Sequence, residues 1–350
     1  MNLIRDCDFD NLISERSQKH KGPMLYNEPF DRLDITLAKK LTILGGFSGS
    51  YKTTLAYNIL YNNAIDLGYN GCFLSLEMEP NEIFLRILVR HAQHSRFRKY
   101  NISIKLLDVI KNNLTESEKD FLLNTVADDL KYHNHGQILV AGPDDVSGCF
   151  NGFGSFISKM EQMLLDSHSP QSTYGLHILV IDYIQLLAKF SRSQFKGVSD
   201  PFQIVGLIVR HLRHITHSYD NDRGISIIAL SQLNRASYSS IKERLRKSKF
   251  DNNEKYKDLY DLTSIAESSE IVNAADFVLA IYTDDKLKSG KRAVIQLLKN
   301  RFGETLEEWI EVLALPEIAF IGDFNHEEAG CMSKEEEMAI FMHGLLNGTI

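Results

Sequence analysis

The chain has 350 residues, 43% apolar and 24% charged, a globular composition with enough aliphatic residues for one large core. Its formal charge of −7, from 46 acidic and 39 basic residues, excludes a globally basic nucleic-acid coat, so any such partner needs locally concentrated Lys and Arg. The four cysteines (Cys7, Cys72, Cys149, Cys331) are too far apart for a metal or redox pair and read as reduced thiols. No apolar run approaches the roughly 18 residues of a bilayer span, and the opening Met-Asn-Leu-Ile-Arg-Asp is not a signal peptide. A cytoplasmic protein without membrane contact is expected.

Residues 1–22 are polar, with one short amphipathic pattern from Asp8 to about Gln18 that puts Phe9, Leu12 and Ile13 on one face. It reads either as a helix docking on its own body or a neighbouring subunit, or as a frayed terminus. Gly22-Pro23 and Glu28-Pro29 punctuate the entry to the core. The apolar run Leu41–Leu44 then feeds a glycine-rich turn, Gly45 to Tyr51, which opens into a helical pattern carrying Leu55, Ile59 and Leu60. Strand, glycine loop, Lys-Thr, helix is the arrangement that cradles phosphates. Backbone N–H groups and the helix dipole attract the anion there.

In this stretch Gly46, Ser48, Gly49, Ser50, Tyr51, Lys52, Thr53 and Thr54 are the expected nucleotide-binding residues. Lys52 would neutralise the outer phosphates and the Thr53 hydroxyl would hold Mg²⁺. One position departs from G-x-x-x-x-G-K-[ST]: Gly46 is the first glycine, and Tyr51 stands in place of the second.

Cys72–Met78 reads as a buried strand ending in the carboxylate of Glu77. Asn81–Gln93 is helical through Ile83, Phe84, Ile87 and Leu88, and residues 94–136 are mostly polar and helical, with Thr115 and Glu118 forming a capping box. Gln137–Ala141 is a further strand and Ser155–Asp166 a helix. The aliphatic run Ile178–Ile181 suits a central strand buried on both faces, and it ends in Asp182. Asp200-Pro201 caps and opens a helix to about Tyr219. Ile225–Leu230, ending at Ser231-Gln232, is the next strand; Asp276–Tyr282, Val294–Leu298 and Trp309–Leu313 follow, the last after a turn at Phe302-Gly303. Alternating strands and helices predict an α/β fold with a central, mostly parallel sheet flanked by helices.

In such sheets ligands bind beyond the carboxyl ends of the strands. Glu77, Asp182 and Gln232 each end a predicted strand, as does the phosphate loop. Their chemistry is that of nucleotide hydrolysis: Glu77 a general base on water, Asp182 a Mg²⁺ ligand with Thr53, Gln232 a sensor of the γ-phosphate or of bound strand.

Ser75-Leu76-Glu77-Met78, Ile181-Asp182-Tyr183-Ile184-Gln185-Leu186 and Ala229-Leu230-Ser231-Gln232-Leu233-Asn234-Arg235 together resemble the motor motifs of DnaB-type hexameric replicative helicases. Lys299-Asn300-Arg301-Phe302-Gly303 resembles their late Lys-x-Arg element, and Glu267-Ser268 with Ala274-Ala275-Asp276 the motif between. The resemblance spans about residues 24 to 315. It implies a RecA-like ATPase that uses ATP and Mg²⁺ and forms a hexameric ring on single-stranded DNA. It makes Glu77 the catalytic base and has Lys299 and Arg301 reach the neighbouring subunit's γ-phosphate. A helical N-terminal domain of the type found in that family is not recognised here.

Two stretches suit DNA contact: Lys189–Gly197, with Lys189, Arg192 and Lys196, and Arg235–Lys257, with Arg235, Lys242, Arg244 and Arg246. The second carries eight basic against three acidic residues, a net +5. Phe190, Phe195 and Tyr238 are candidate stacking platforms. The expected organisation is 1–22 as a docking segment, 23–322 as the ATPase core and 323–350 as an acidic, then amphipathic tail. In the tail Met338, Phe341, Leu345 and Leu346 line one face, which packs on its own domain or meets a loader or other partner. Two other readings compete: a nucleotide-binding assembly or accessory protein of a mobile element or defence system with weak hydrolysis, to which Tyr51 points, and a RecA- or KaiC-like ATPase.

Overall fold

The computed structural model describes residues 23–25, 36–133, 135–147, 159, 162, 175–190, 192, 195, 197–198, 200–222, 224–233, 241, 243, 259–262, 269–305 and 309–323. In chain order the first half comprises β1 (Leu41–Gly46), α1 (Lys52–Ile65), β2 (Gly71–Ser75), α2 (Pro80–Ala92), α3 (Leu106–Ile110), α4 (Glu116–Phe121), α5 (Ala127–Tyr132), β3 (Ile138–Ala141) and α6 (Pro143–Ser147). The second half comprises β4 (Ile178–Asp182), α7 (Ile184–Phe190), α8 (Pro201–Asp222), β5 (Ser226–Gln232), α9 (Ser269–Ala274), β6 (Phe277–Tyr282), α10 (Asp285–Ser289), β7 (Arg292–Asn300), β8 (Ile310–Leu315) and β9 (Phe320–Gly322).

The nine strands form one sheet in the order β3-β2-β4-β5-β1-β6-β7-β8-β9. All neighbours from β3 to β6 are parallel. β7, β8 and β9 extend the sheet antiparallel. The expected mostly parallel α/β sheet is what forms.

Alternation along the central strands feeds two core layers. Leu41 and Ile43 of β1, Leu179 and Ile181 of β4, and Ile227 and Ala229 of β5 point into one, covered by the α8 stripe Ile204, Val205, Ile208, Val209, Leu212 and Ile215. Leu44, Val180, Ile228 and Leu230 point into the other, covered by Leu55, Ile59 and Leu60 of α1 and Ile83 and Ile87 of α2. Each of these valine, leucine and isoleucine side chains is worth about 1.5–3 kcal/mol of burial, so the parallel strands are fixed in register from both faces.

Local chemistry sets the ends of the elements. Thr115 and Glu118 form the anticipated capping box, with Thr115 N donating to Glu118 Oε2 at 2.7 Å and Glu118 N to Thr115 Oγ1 at 3.3 Å. The helix it opens continues through a π-helical turn, Leu122–Val126, into α5. Asp200 caps α8 by accepting from Phe202 N at 3.0 Å. The helix expected over Ser155–Asp166, the terminal segments 1–22 and 324–350, and Glu267-Ser268 lie outside the described residues, apart from Lys159 and Gln162.

Candidate functional site

Register brings four polar strand ends to one edge of the sheet. Gly46 of β1 lies beside Gln232 of β5, and Ser75 of β2 beside Asp182 of β4. Because β2, β4, β5 and β1 are successive neighbours, Glu77, Asp182, Gln232 and the phosphate loop line that edge in this order.

The loop is built on two local constraints. A Cβ on Gly46 would lie 2.5 Å from Ser50 Oγ and 2.8 Å from the Ile281 carbonyl, so only glycine fits where the strand turns. Gly49 has φ +74°, and Tyr51 takes the same left-handed region with φ 68° and ψ 21°. The residue that breaks the motif therefore adopts the conformation a glycine would supply, at a strain cost of about 1–2 kcal/mol. Its ring packs against the core layer under α1, with Lys288 Nζ 5.8 Å from the ring centre. Burial, then the charge of Glu317, pushes its hydroxyl pKa up. The path of the loop is kept, and α1 starts without a side-chain cap and without an acidic residue in its first turn. Such a helix start is an anion site.

Lys52 is nearly buried, and its ammonium donates to the carbonyls of Gly46 and Phe47, both at 2.7 Å. Burial lowers its pKa to about 8, against the opposing pull of Asp182 and Glu77. Thr53 Oγ1 donates to Asp182 Oδ2 at 2.8 Å. Asp182 is 2% exposed, and burial raises its pKa to about 6, with Glu77 adding to the rise and Thr53 and Lys52 opposing it. A hydroxyl and a carboxylate meeting at this distance are hard oxygen donors of the kind Mg²⁺ takes in ones and twos, with phosphates and water completing the shell. Among the described residues no cluster of three or more His, Cys, Asp or Glu forms a metal cage.

Glu77 lies two residues beyond the end of β2 rather than on the strand, and it is exposed. The bend that carries it is fixed by Leu76 N donating to the Asp182 carbonyl at 2.9 Å and Ser75 Oγ to the Met78 carbonyl at 2.6 Å. Its charge is felt by both Lys52 and Asp182.

Sequence reasoning does not single out Gln185, because a glutamine at the start of an apolar helix reads as a solvated position. It sits between Asp182 and Gln232, donating Nε2 to Ser231 Oγ at 3.1 Å. Its Oε1 is buried without a hydrogen-bond partner among the described residues.

Lys299 and Arg301 are elsewhere. β7 runs antiparallel to β6, with Asn300 opposite Phe277, so both cations lie at the amino edge of the parallel strands. Arg301 N donates to the Asp276 carbonyl at 3.0 Å, and Asp276 N to the Leu41 carbonyl at 2.8 Å. Arg301 is thus level with the start of β1, while the phosphate loop follows its end. Five strand steps separate them, about 17 Å at 3.3 Å per residue. Lys299 Nζ donates to the Val272 carbonyl at 2.6 Å, and Arg301 Nη2 to the Asn273 carbonyl at 2.5 Å.

Of the residues proposed for DNA contact, Lys189 and Arg192 are exposed at the end of α7 and just beyond it. Lys196, Arg235, Lys242, Arg244, Arg246 and Tyr238 lie outside the described residues. Phe190 is 41% exposed. Phe195 is partly buried and packs against the α8 core layer.

With this geometry in view, comparisons with known proteins are informative. Residues 156–314 match the family described as DnaB-like helicase C terminal domain. A solved structure titled as an ATPase domain superposes with a TM-score of 0.64 at 18% identity, covering 91% of this chain and 99% of that one. "The Structure Of A DnaB-Like Replicative Helicase And Its Interactions With Primase" gives 0.63 at 17%, covering 93% of this chain and 68% of that one. At these identities the likeness establishes the fold, which is the RecA-like fold of such ATPase domains. No curated protein matches the chain.

Proposed function

Starting from a chain whose residues 156–314 match the DnaB-like helicase C terminal domain, we propose that this protein is an ATP-driven translocase or helicase on single-stranded DNA, working as a head-to-tail ring, in expectation a hexamer. The observation that carries this reading is the separation of the site's two halves. Lys52, Thr53, Glu77 and Asp182 cluster at one edge of the sheet, and Lys299 and Arg301 sit at the other, level with Leu41. One chain cannot bring its own cations to its own phosphates across about 17 Å. A head-to-tail neighbour can, and a head-to-tail contact that closes makes a ring.

In this reading Lys52 exchanges the carbonyls of Gly46 and Phe47 for phosphate oxygens. Thr53 and Asp182 would hold Mg²⁺, which would supply neutralisation of phosphate charge. Glu77 orients a water and takes its proton as the water oxygen bonds to the γ-phosphorus and the bridging oxygen leaves with ADP. Lys299 and Arg301 of the adjoining subunit stabilise the charge that develops, so hydrolysis waits on assembly. Gln232, with Gln185 bonded to the adjoining Ser231, is in this reading the sensor of the γ-phosphate or of bound strand. Residues 23–322 form the motor, while 1–22 and 323–350 are available to a loader or other partner. One structurally similar helicase is itself titled for its interactions with primase.

The weak-hydrolysis alternative draws its support from Tyr51; the left-handed backbone of that residue, which keeps the loop's path, supports the motor reading. ATP turnover measured with and without single-stranded DNA tests the proposal. DNA-stimulated turnover that Glu77→Gln lowers by roughly 10²–10⁴-fold is expected. Turnover indifferent to DNA and to Glu77→Gln would overturn it.

A further inference from the structure

Asp276, the last residue of the Ala274-Ala275-Asp276 motif, has no part in the mechanism so far, yet it is completely buried. Its Oδ2 is fully used: it accepts from Leu41 N at 2.9 Å and from Arg213 Nη1 at 2.5 Å. Its Oδ1 is buried without a hydrogen-bond partner among the described residues. Arg301 Nε lies 3.8 Å from Oδ1, just beyond hydrogen-bond reach. Meanwhile the terminal nitrogen of Arg301 is turned onto the Asn273 carbonyl at the end of α9. A buried carboxylate oxygen left unpaired is costly, and a guanidinium Nε–H is the donor that suits it.

We infer that Asp276 is the positioning residue for Arg301, gripping its Nε–H through Oδ1 so that the two terminal nitrogens are presented to the neighbouring subunit's nucleotide. The inference rests on the proposed trans role of Arg301 and deepens it. Arg213 is part of the device. By occupying Oδ2 from α8 it leaves Oδ1 facing Arg301, and its own charge keeps the guanidinium from collapsing inward. The arrangement seen in the single chain, with Arg301 on the Asn273 carbonyl, is then the parked state. Shifting Nε by about 1 Å onto Oδ1 frees the Nη pair, which is the part of arginine that matches phosphate oxygens.

Mixed assemblies of the full chain separate positioning from plain structure. A Glu77→Gln subunit has a dead site of its own but intact Lys299 and Arg301 to offer its neighbour. An Asp276→Asn subunit has an intact phosphate side and misdirected cations. Asp276→Asn alone is expected to lower kcat by roughly 10- to 100-fold, with KM for ATP within about twofold. Mixing it with Glu77→Gln should recover turnover above either alone. Arg213→Gln, at a partly exposed side chain, is the second variant and should show the same loss and recovery, which keeps the test open if Asp276→Asn does not fold. A folded, assembled variant that loses nothing, or whose loss the mixture does not recover, overturns the inference. Arg301→Ala mixed with Glu77→Gln is the control: if that pair fails to recover, the trans reading itself has failed, whatever Asp276 does.

Discussion

The two edges of the sheet are built from opposite materials. At the carboxyl edge the material is mostly backbone: a glycine turn, an uncapped helix start, and one lysine folded against the carbonyls of Gly46 and Phe47. Negative side chains, Glu77 and Asp182, frame it. At the amino edge the charges are reversed, with Arg213, Lys299 and Arg301 gathered round the single buried carboxylate of Asp276. Burial lowers the pKa of Lys299 there, with the neighbouring arginines adding to it and Asp276 opposing. One edge is a backbone turn framed by carboxylates, and the other is three cations sharing one carboxylate. In the proposed ring each edge supplies the charge that the other needs.

The comparison breaks first at Lys52. Lys52→Ala should lower ATP turnover by roughly a thousandfold or more, by loss of phosphate binding in its own subunit. Lys299→Ala should cost roughly a hundredfold while nucleotide binding is retained. Mixing the two variants should restore turnover, because each supplies the edge the other lacks. Recovery no better than the sum of the parts would show that both lysines serve the same site in the same chain.

A smaller effect separates the edges by pH. Asp182 has a folded pKa of about 6, above its usual 3.8, because burial favours the neutral acid. Between these values the folded state holds more proton than the unfolded, so the contribution of Asp182 to stability falls as pH rises through that window. Without nucleotide or metal, Asp182→Asn should therefore melt about 2–4 °C higher than the parent at pH 7.5, with the gap closing below pH 4. A gap that does not depend on pH would mean the carboxylate is already ionised at no cost. The smallest effect is expected at Tyr51. Tyr51→Gly relieves a left-handed tyrosine but gives up its packed ring, so nucleotide affinity and turnover should stay within about threefold. A larger loss in affinity, measured by nucleotide titration, would assign the ring a direct part in binding.

How much of this is legible in the sequence differs between the edges. The carboxyl edge can be read almost residue by residue, because aliphatic runs ending in Gly46, Asp182 and Gln232 mark both a strand and its exit. Glu77 reads as a strand end and sits two residues past it, since Ser75 turns back onto the Met78 carbonyl. The amino edge is legible only through resemblance. Arg301 beside a glycine turn looks like any surface arginine until β7 is known to run antiparallel to β6. Asp276 reads only as the first residue of a strand until β1, α8 and β7 converge on it. β9 escapes a sequence reading because three residues after a proline turn give no periodicity to read.

β1 itself joins these halves. Its first amide and carbonyl are bonded to Asp276, whose own carbonyl holds Arg301 N, and its last residue begins the phosphate loop. A strand buried on both faces and paired on both sides has no slack along its length. In the proposed ring, such a strand would tie the position of one interface to that of the next. In the proposed ring the six residues from Leu41 to Gly46 would be the rigid spacer between a subunit's two interfaces.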